Sequence, residues 1–174
     1  MAKSARELDK SSAEMGFPRP APEQMSLDHL DRRILHRILE DGRVSFRQLA
    51  TEMHVSTTTV ASRVARLEKG RIIGGYSAMV DFQRLGFELT VVTEIRVSKG
   101  KLLEMEQEIA RLPNVCAVYD VTGEIDAIVI SKCRNREELS RFAKALLAMQ
   151  FVERTNSHVV LTTVKEDFRL PTQP

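Results

Sequence analysis

Ser45-Phe-Arg-Gln-Leu-Ala-Thr-Glu-Met-His-Val-Ser-Thr-Thr-Thr-Val-Ala-Ser-Arg-Val-Ala-Arg-Leu-Glu-Lys-Gly70 carries two short apolar patterns at helical spacing, Phe46/Leu49/Met53 and Val60/Val64/Leu67. They are separated by a break at His54-Val55, and Ser56 stands where it can cap the second helix. Two amphipathic helices joined this tightly predict a helix-turn-helix. With Val60 at zero on a wheel of about 100° per residue, Val64 and Leu67 fall within about 40° of it. The opposite side then holds Thr58, Ser62, Ala65 and Arg66, flanked by Thr59. An outer face of small hydroxyls and an arginine, free of bulky apolar side chains, can lie deep in a major groove. Its first turn, Thr57 to Thr59, would present the positive end of the helix dipole to base edges and phosphates. The expected DNA-contacting set is Ser56, Thr57, Thr58, Thr59, Ser62, Arg63 and Arg66, with the two arginines on phosphate or guanine. The alternative for the same face is an ordinary solvated helix in which Arg63 or Arg66 pairs with Glu68 or Glu52.

On the N-terminal side, residues 26–42 read as a further helix. Ser26 or Asp28 can cap it, Leu30/Ile34/Leu35/Ile38/Leu39 form one broad apolar face, and Asp41-Gly42 ends it. Three helices around one small core are the usual minimum for this class of DNA reader. Charge agrees: residues 25–75 hold 9 basic and 6 acidic side chains, whereas residues 76–174 hold 13 and 14. The positive excess sits with the helices, where a phosphate-binding module would carry it. Residues 1–25 mix small and charged residues with Pro18, Pro20 and Pro22 and read as a mobile tail.

On the C-terminal side, Ile72-Ile-Gly-Gly-Tyr76 leads out of the helix into an alternating stretch, Tyr76 to Phe82, that reads as a strand. It lacks a partner in the helical domain, so it pairs with a symmetry mate or with a wing of its own domain. From Thr90 the texture changes to strand 90–97, helix 102–112, strand 115–121, strand 126–132, helix 137–149 and a long strand within 152–165. That β-α-β-β-α-β order is the split βαβ, or ferredoxin-like, arrangement, with an antiparallel sheet and both helices on one face. Apolar and β-branched residues occur at both parities, as in Val159-Val-Leu-Thr-Thr-Val164, so the second sheet face is expected to be buried against another copy.

Several classes are excluded by what is missing. Cys116 and Cys133 are too few and too far apart for a disulfide framework or a zinc cluster, and no metal or other cofactor is expected. There is no apolar run of membrane-spanning length and no signal-peptide h-region, which points to a cytoplasmic protein without membrane association. His29, His36, His54 and His158 are scattered, and no nucleophile stands near a base at useful spacing, so no catalytic residue is assigned and an enzyme is not expected.

Residues 26–35, Asp41-Gly-Arg-Val-Ser45, Leu49-Ala50, Ser56 with Val60, Arg63-Val-Ala-Arg-Leu-Glu68 and Ile73-Gly-Gly-Tyr76 resemble the N-terminal half of the Lrp/AsnC, or feast/famine, family of transcription regulators. Val121-Thr-Gly-Glu-Ile-Asp-Ala127 is similar to the central loop of that family's sensing domain. The resemblance spans about residues 26–168. It implies an α+β chain: an N-terminal helix-turn-helix (winged-helix-like) domain at 26–74, a linker with a pairing strand at 75–89, a ferredoxin-like ligand-sensing and oligomerisation domain at 90–168, and a C-terminal tail at 169–174. It also implies a homodimer whose linker strands pair, assembly onward to higher oligomers such as octamers, double-stranded DNA as partner, and an amino acid or related metabolite as effector. Carried over by position, effector contacts fall at Thr122, Gly123, Ile125 and Asp126, where Gly123 permits a φ > 0 turn or close ligand approach and Asp126 accepts from an amino group. Many members have an aromatic residue where this chain has Ile125, which bears on ligand choice. The same loop also reads simply as a tight hairpin with Asp126 solvated. A competing functional reading is an architectural protein that wraps DNA with little sequence preference and no effector.

Overall fold

The computed structural model describes residues 25–98 and 100–170. The tail expected at residues 1–25 lies outside the described residues, Met25 excepted. The described chain divides into two compact units, one of residues 25–80 with 165–170 and one of residues 81–164.

The first unit holds three helices, α1 (His29–Glu40), α2 (Phe46–Met53) and α3 (Thr57–Lys69). Each starts where a side chain can satisfy the backbone N–H groups that a first turn leaves unpaired. Asp28, rather than Ser26, caps α1 in a reciprocal box: its carboxylate accepts from Asp31 N at 2.9 Å, and the Asp31 carboxylate accepts from Asp28 N at 3.0 Å. Ser45 and Gln48 close the same box on α2, and Ser56 caps α3. Between α2 and α3 the chain reverses at His54, which adopts a left-handed conformation with φ 58°. The core joins Ile34, Leu35, Leu49, Ala50, Met53, Val60, Val64, Leu67 and Ile73. Each fully buried aliphatic side chain among them stabilises the unit by about 1.5–3 kcal/mol.

The second unit is β1 (Leu89–Val97), α4 (Leu102–Ile109), β2 (Val115–Asp120), β3 (Ala127–Cys133), α5 (Arg136–Leu147) and β4 (Val152–Val159). The strands form one antiparallel sheet in the order β2-β3-β1-β4, which is the ferredoxin-like topology. Val91, Thr93, Ile95 and Val97 of β1 and Ala127, Val129, Ser131 and Cys133 of β3 are buried. On this face Ile95, Val97, Ala127 and Val129 share a core with Met105 and Ile109 of α4 and Phe142 and Leu146 of α5. The alternate residues point away from the helices. Across that second face run the rows Tyr119–Ile128–Glu94–Asn156 and Ala117–Ile130–Val92–His158.

Residues 76–82 pair with no strand among the described residues, so a wing of their own domain does not supply the expected partner. Tyr76, Met79, Val80 and Phe82 are accordingly exposed. The last strand, Val152–Val159, lies within the expected 152–165 and ends well before Lys165. Val159 pairs with Val91 and β1 begins at Leu89, so only the Val160 N bond to Thr90 O at 2.9 Å follows before the neighbouring strand runs out.

Candidate functional site

The outer face of α3 is the first candidate surface. Thr57, Thr58, Ser62, Ala65 and Arg66 are exposed, while Val60, Val64 and Leu67 are buried. The expected DNA-contacting residues separate into three roles. Ser56 Oγ accepts from Thr59 N at 3.0 Å and lies 2.8 Å from Thr59 Oγ1, so both hydroxyls are engaged in starting the helix. Thr57, Thr58 and Ser62 present hydroxyls to the outside. Arg63 and Arg66 turn back toward α1.

That return is built around Asp31, whose side chain is fully buried. Arg63 Nη1 donates to Asp31 Oδ1 at 3.2 Å and also to Asp28 Oδ2, and Arg66 Nη2 donates to Asp31 Oδ2. A carboxylate without water is stable only when paired and hydrogen-bonded, and this one meets two guanidinium groups and a backbone N–H. The Asp31 backbone N–H and the Arg63 guanidinium hold the Asp28 carboxyl down at about 2, and the two aspartates push Arg63 above its already high value. The pairing partners are therefore Asp28 and Asp31 of α1, not Glu68 or Glu52. Glu52 is taken by Arg37, whose Nε reaches it at 2.8 Å, and Glu68 accepts from the Tyr76 hydroxyl at 3.0 Å. Arg43 and Arg47, absent from the expected contact set, are exposed near the start of α2, with no side-chain ion pair among the described residues.

The second candidate is a cavity of about 510 Å³ on the helix-free face of the sheet, lined by Glu94, Arg96, Glu124, Ile125, Arg154 and Asn156. Of the four residues expected to meet an effector, Ile125 lines it. Gly123 sits at φ 130°, a conformation suited to glycine, and it and Thr122 are exposed without lining the cavity. Asp126 instead ties the loop to the end of β1. Its Oδ2 accepts from Val97 N at 2.7 Å, and its own N–H donates to Ile95 O at 2.9 Å. Glu94, Arg96, Arg154 and Asn156 were not expected from the sequence. Their signal was polar side chains two apart on two strands, which register alone brings together.

Comparison with known proteins agrees with both units. Residues 27–68 match the AsnC-type helix-turn-helix domain, and residues 90–170 match the Lrp/AsnC ligand binding domain. An uncharacterised HTH-type transcriptional regulator of Pyrococcus furiosus is 45% identical over 146 residues, which cover 84% of this chain and 99% of that protein. The HTH-type transcriptional regulator Ptr1 of Methanocaldococcus jannaschii is 31% identical over 146 residues, 83% of this chain and 99% of that one. Among solved structures, LrpC of B. subtilis superposes with a TM-score of 0.72 at 26% identity, over 81% of this chain and 99% of that chain. LrpA of Mycobacterium tuberculosis gives 0.73 at 25% identity, over 83% and 99%. These relatives are regulators rather than enzymes, and among the described residues no helix is long and apolar enough to cross a membrane. A capped helix pair with a hydroxyl-lined outer face, followed by a ferredoxin-like sheet, places this chain in the Lrp/AsnC family of transcriptional regulators.

Proposed function

We propose that the chain is a sequence-specific DNA-binding regulator that works as a homodimer or a higher assembly such as an octamer, with DNA binding or assembly tuned by an amino acid or related metabolite. The observation that carries the DNA reading is the outer face of α3, where Thr57, Thr58 and Ser62 are exposed and unobstructed by bulky apolar groups. In this reading Thr57, Thr58 and Ser62 approach base edges in the major groove, and Ser56 and Thr59 shape the helix N-terminus that meets a phosphate. Arg43 and Arg47 supply phosphate contacts from α2. Arg63 and Arg66 act chiefly by holding α3 against α1. The test is a gel-shift series against a promoter fragment over a range of salt. Arg43→Ala and Arg47→Ala should each lower the salt slope by about one, while Ser62→Ala should change the preference among sequences and leave the slope alone. Equal affinity for the promoter fragment and for bulk DNA would instead favour the wrapping, architectural reading.

Support for an effector comes from the ligand-binding-domain match and from the cavity beside the Thr122–Asp126 loop. A ligand that binds the folded state raises the melting temperature in a concentration-dependent way, so a thermal-shift screen of the amino acids tests this part. Flat curves throughout would remove amino acids from the proposal.

A further inference from the structure

Among the described residues, the residues other than glycine with positive φ are His54 and Arg71, and they bracket α3: His54 at 58° in the turn before it, Arg71 at 56° just after it. Elsewhere this half of the backbone map is left to glycine, as at Gly86 (85°) and Gly123 (130°). A Cβ crowds the backbone in the left-handed conformation, and glycine avoids that crowding. The position of Gly70 makes the choice at Arg71 more pointed. Gly70 has an ordinary φ of −76° and answers a different constraint, since the Met25 side chain occupies the space its Cβ would fill. The chain therefore places arginine at the very next position, where the backbone would favour glycine.

Neither side chain is used inside the protein. His54 and Arg71 are both exposed, and among the described residues neither has a side-chain hydrogen bond or ion pair. Arg33, Arg37, Arg63 and Arg66 of the same unit, by contrast, all reach oxygens within it. What His54 and Arg71 share is N–H donors held at fixed points on either side of α3. An imidazole offers one or two, and a guanidinium offers five with a permanent charge. The 13 residues of α3 make a helix about 20 Å long, against a major groove about 12 Å wide. With the helix in the groove, its two ends approach opposite walls, and those walls are phosphate backbones.

We propose that His54 and Arg71 are a pair of DNA-phosphate contacts, one at each end of α3, that set the depth and angle at which the helix enters the groove. His54 meets the backbone of one strand and Arg71 that of the other, so together they orient the helix without reading sequence. This inference rests on the DNA-binding reading above and adds to it the two residues that hold α3 in place on the duplex.

The experiment compares the full-length wild type with His54→Gly, Arg71→Gly and Arg71→Lys, measuring the melting temperature of the free protein and gel-shift affinity for the promoter fragment over a range of salt. Both glycine variants should melt at or above the wild type, because glycine relieves the backbone, yet bind DNA about threefold or more weakly. Arg71→Gly should also lower the salt slope by about one, and Arg71→Lys, which keeps the charge, should restore it. Wild-type affinity and salt slope in the glycine variants would overturn the proposal and leave the DNA reading to Arg43 and Arg47. Weakening in only one of them would remove the other residue and with it the two-strand contact. A glycine variant that melts well below the wild type would also overturn it, since a packing role would then account for the side chain. If the wild type binds neither the promoter fragment nor bulk DNA, the DNA reading and these contacts fail together.

Discussion

Asp31 carries more of the helical unit's design than any hydroxyl on the outer face of α3. Its carboxylate is fully buried, closes the capping box of α1, and receives both arginines of α3. Removing one partner of a buried ion pair leaves the others uncompensated. Asp31→Ala should therefore destabilise the helical unit by about 3 kcal/mol, at the low end for such sites because both guanidinium groups keep some contact with water. Urea unfolding followed by circular dichroism measures it. A loss below about 1 kcal/mol would show that α3 is held by its apolar face alone. Asp28 adds a pH signature. Its folded-state pKa lies at about 2, below its ordinary value of 3.8, chiefly through the Asp31 N–H and the Arg63 guanidinium. A depressed acid contributes stability that is complete above its unfolded pKa and is lost as pH falls through the folded one. The melting-temperature difference between wild type and Asp28→Asn should thus be constant above about pH 5 and shrink between about pH 4 and pH 2. A difference that does not change with pH would mean that the charge of Asp28 is not what matters.

The elements were legible where a single chain supplies every cause of their formation. Ser56 as a cap, the Val60/Val64/Leu67 stripe and the β-α-β-β-α-β order all follow from local chemistry, and the structure has them. The first helix has a subtler start: Asp28 prevails over Ser26 because Asp31 sits three residues on and completes the reciprocal box. What could not be read locally depends on another element. The extent of β4 is set by where β1 begins, the direction of Arg63 and Arg66 by the buried acid on α1, and the Arg96–Arg154 pair by strand register. The inner layer of the sheet holds a further test. Ser131 is buried on β3 with its Oγ lacking a hydrogen-bond partner among the described residues, and Glu106 on α4 has Oε1 in the same condition. A buried hydroxyl with no partner costs its desolvation and returns nothing, so Ser131→Ala should be neutral or stabilise by up to about 1 kcal/mol. Burial, and then the charge of Asp120, pushes the Glu106 carboxyl up. The folded state therefore favours the protonated acid, and a penalty appears as pH rises through the raised pKa. Glu106→Gln should melt higher than wild type at neutral pH, with the advantage fading as pH falls below the ordinary carboxylate value. A variant that melts lower at neutral pH would show that the carboxylate has an unrecognised partner.

At the scale of the whole molecule, two features ask for a second copy. The linker residues Tyr76, Met79, Val80 and Phe82 are apolar, exposed and unpaired as a strand, and the helix-free face of the sheet centres on Ala117, Ile130 and Val92 beside Tyr119 and Ile128. Both are satisfied if the proposed dimer buries the sheet face and pairs the linkers, since each removes apolar surface from water and the second also completes hydrogen bonds. Ile130 is the discriminating position. It lies in the middle of the face between Val92 and Ala117, its side chain takes no part in the helix-covered core, and a lysine there can reach water in an isolated chain. Ile130→Lys should leave the circular dichroism spectrum and the sheet intact while desolvating a charge in any interface built on this face. Sedimentation equilibrium should then move from a multiple of 19.7 kDa in the wild type toward 19.7 kDa in the variant. DNA affinity should fall with it, because a lone helix-turn-helix reads one half-site whereas a dimer reads two spaced by a helical turn or its multiples. An unchanged mass would place the assembly surface elsewhere on the chain. A monomer with unchanged affinity would separate DNA reading from pairing, leaving α3 to select its site one copy at a time.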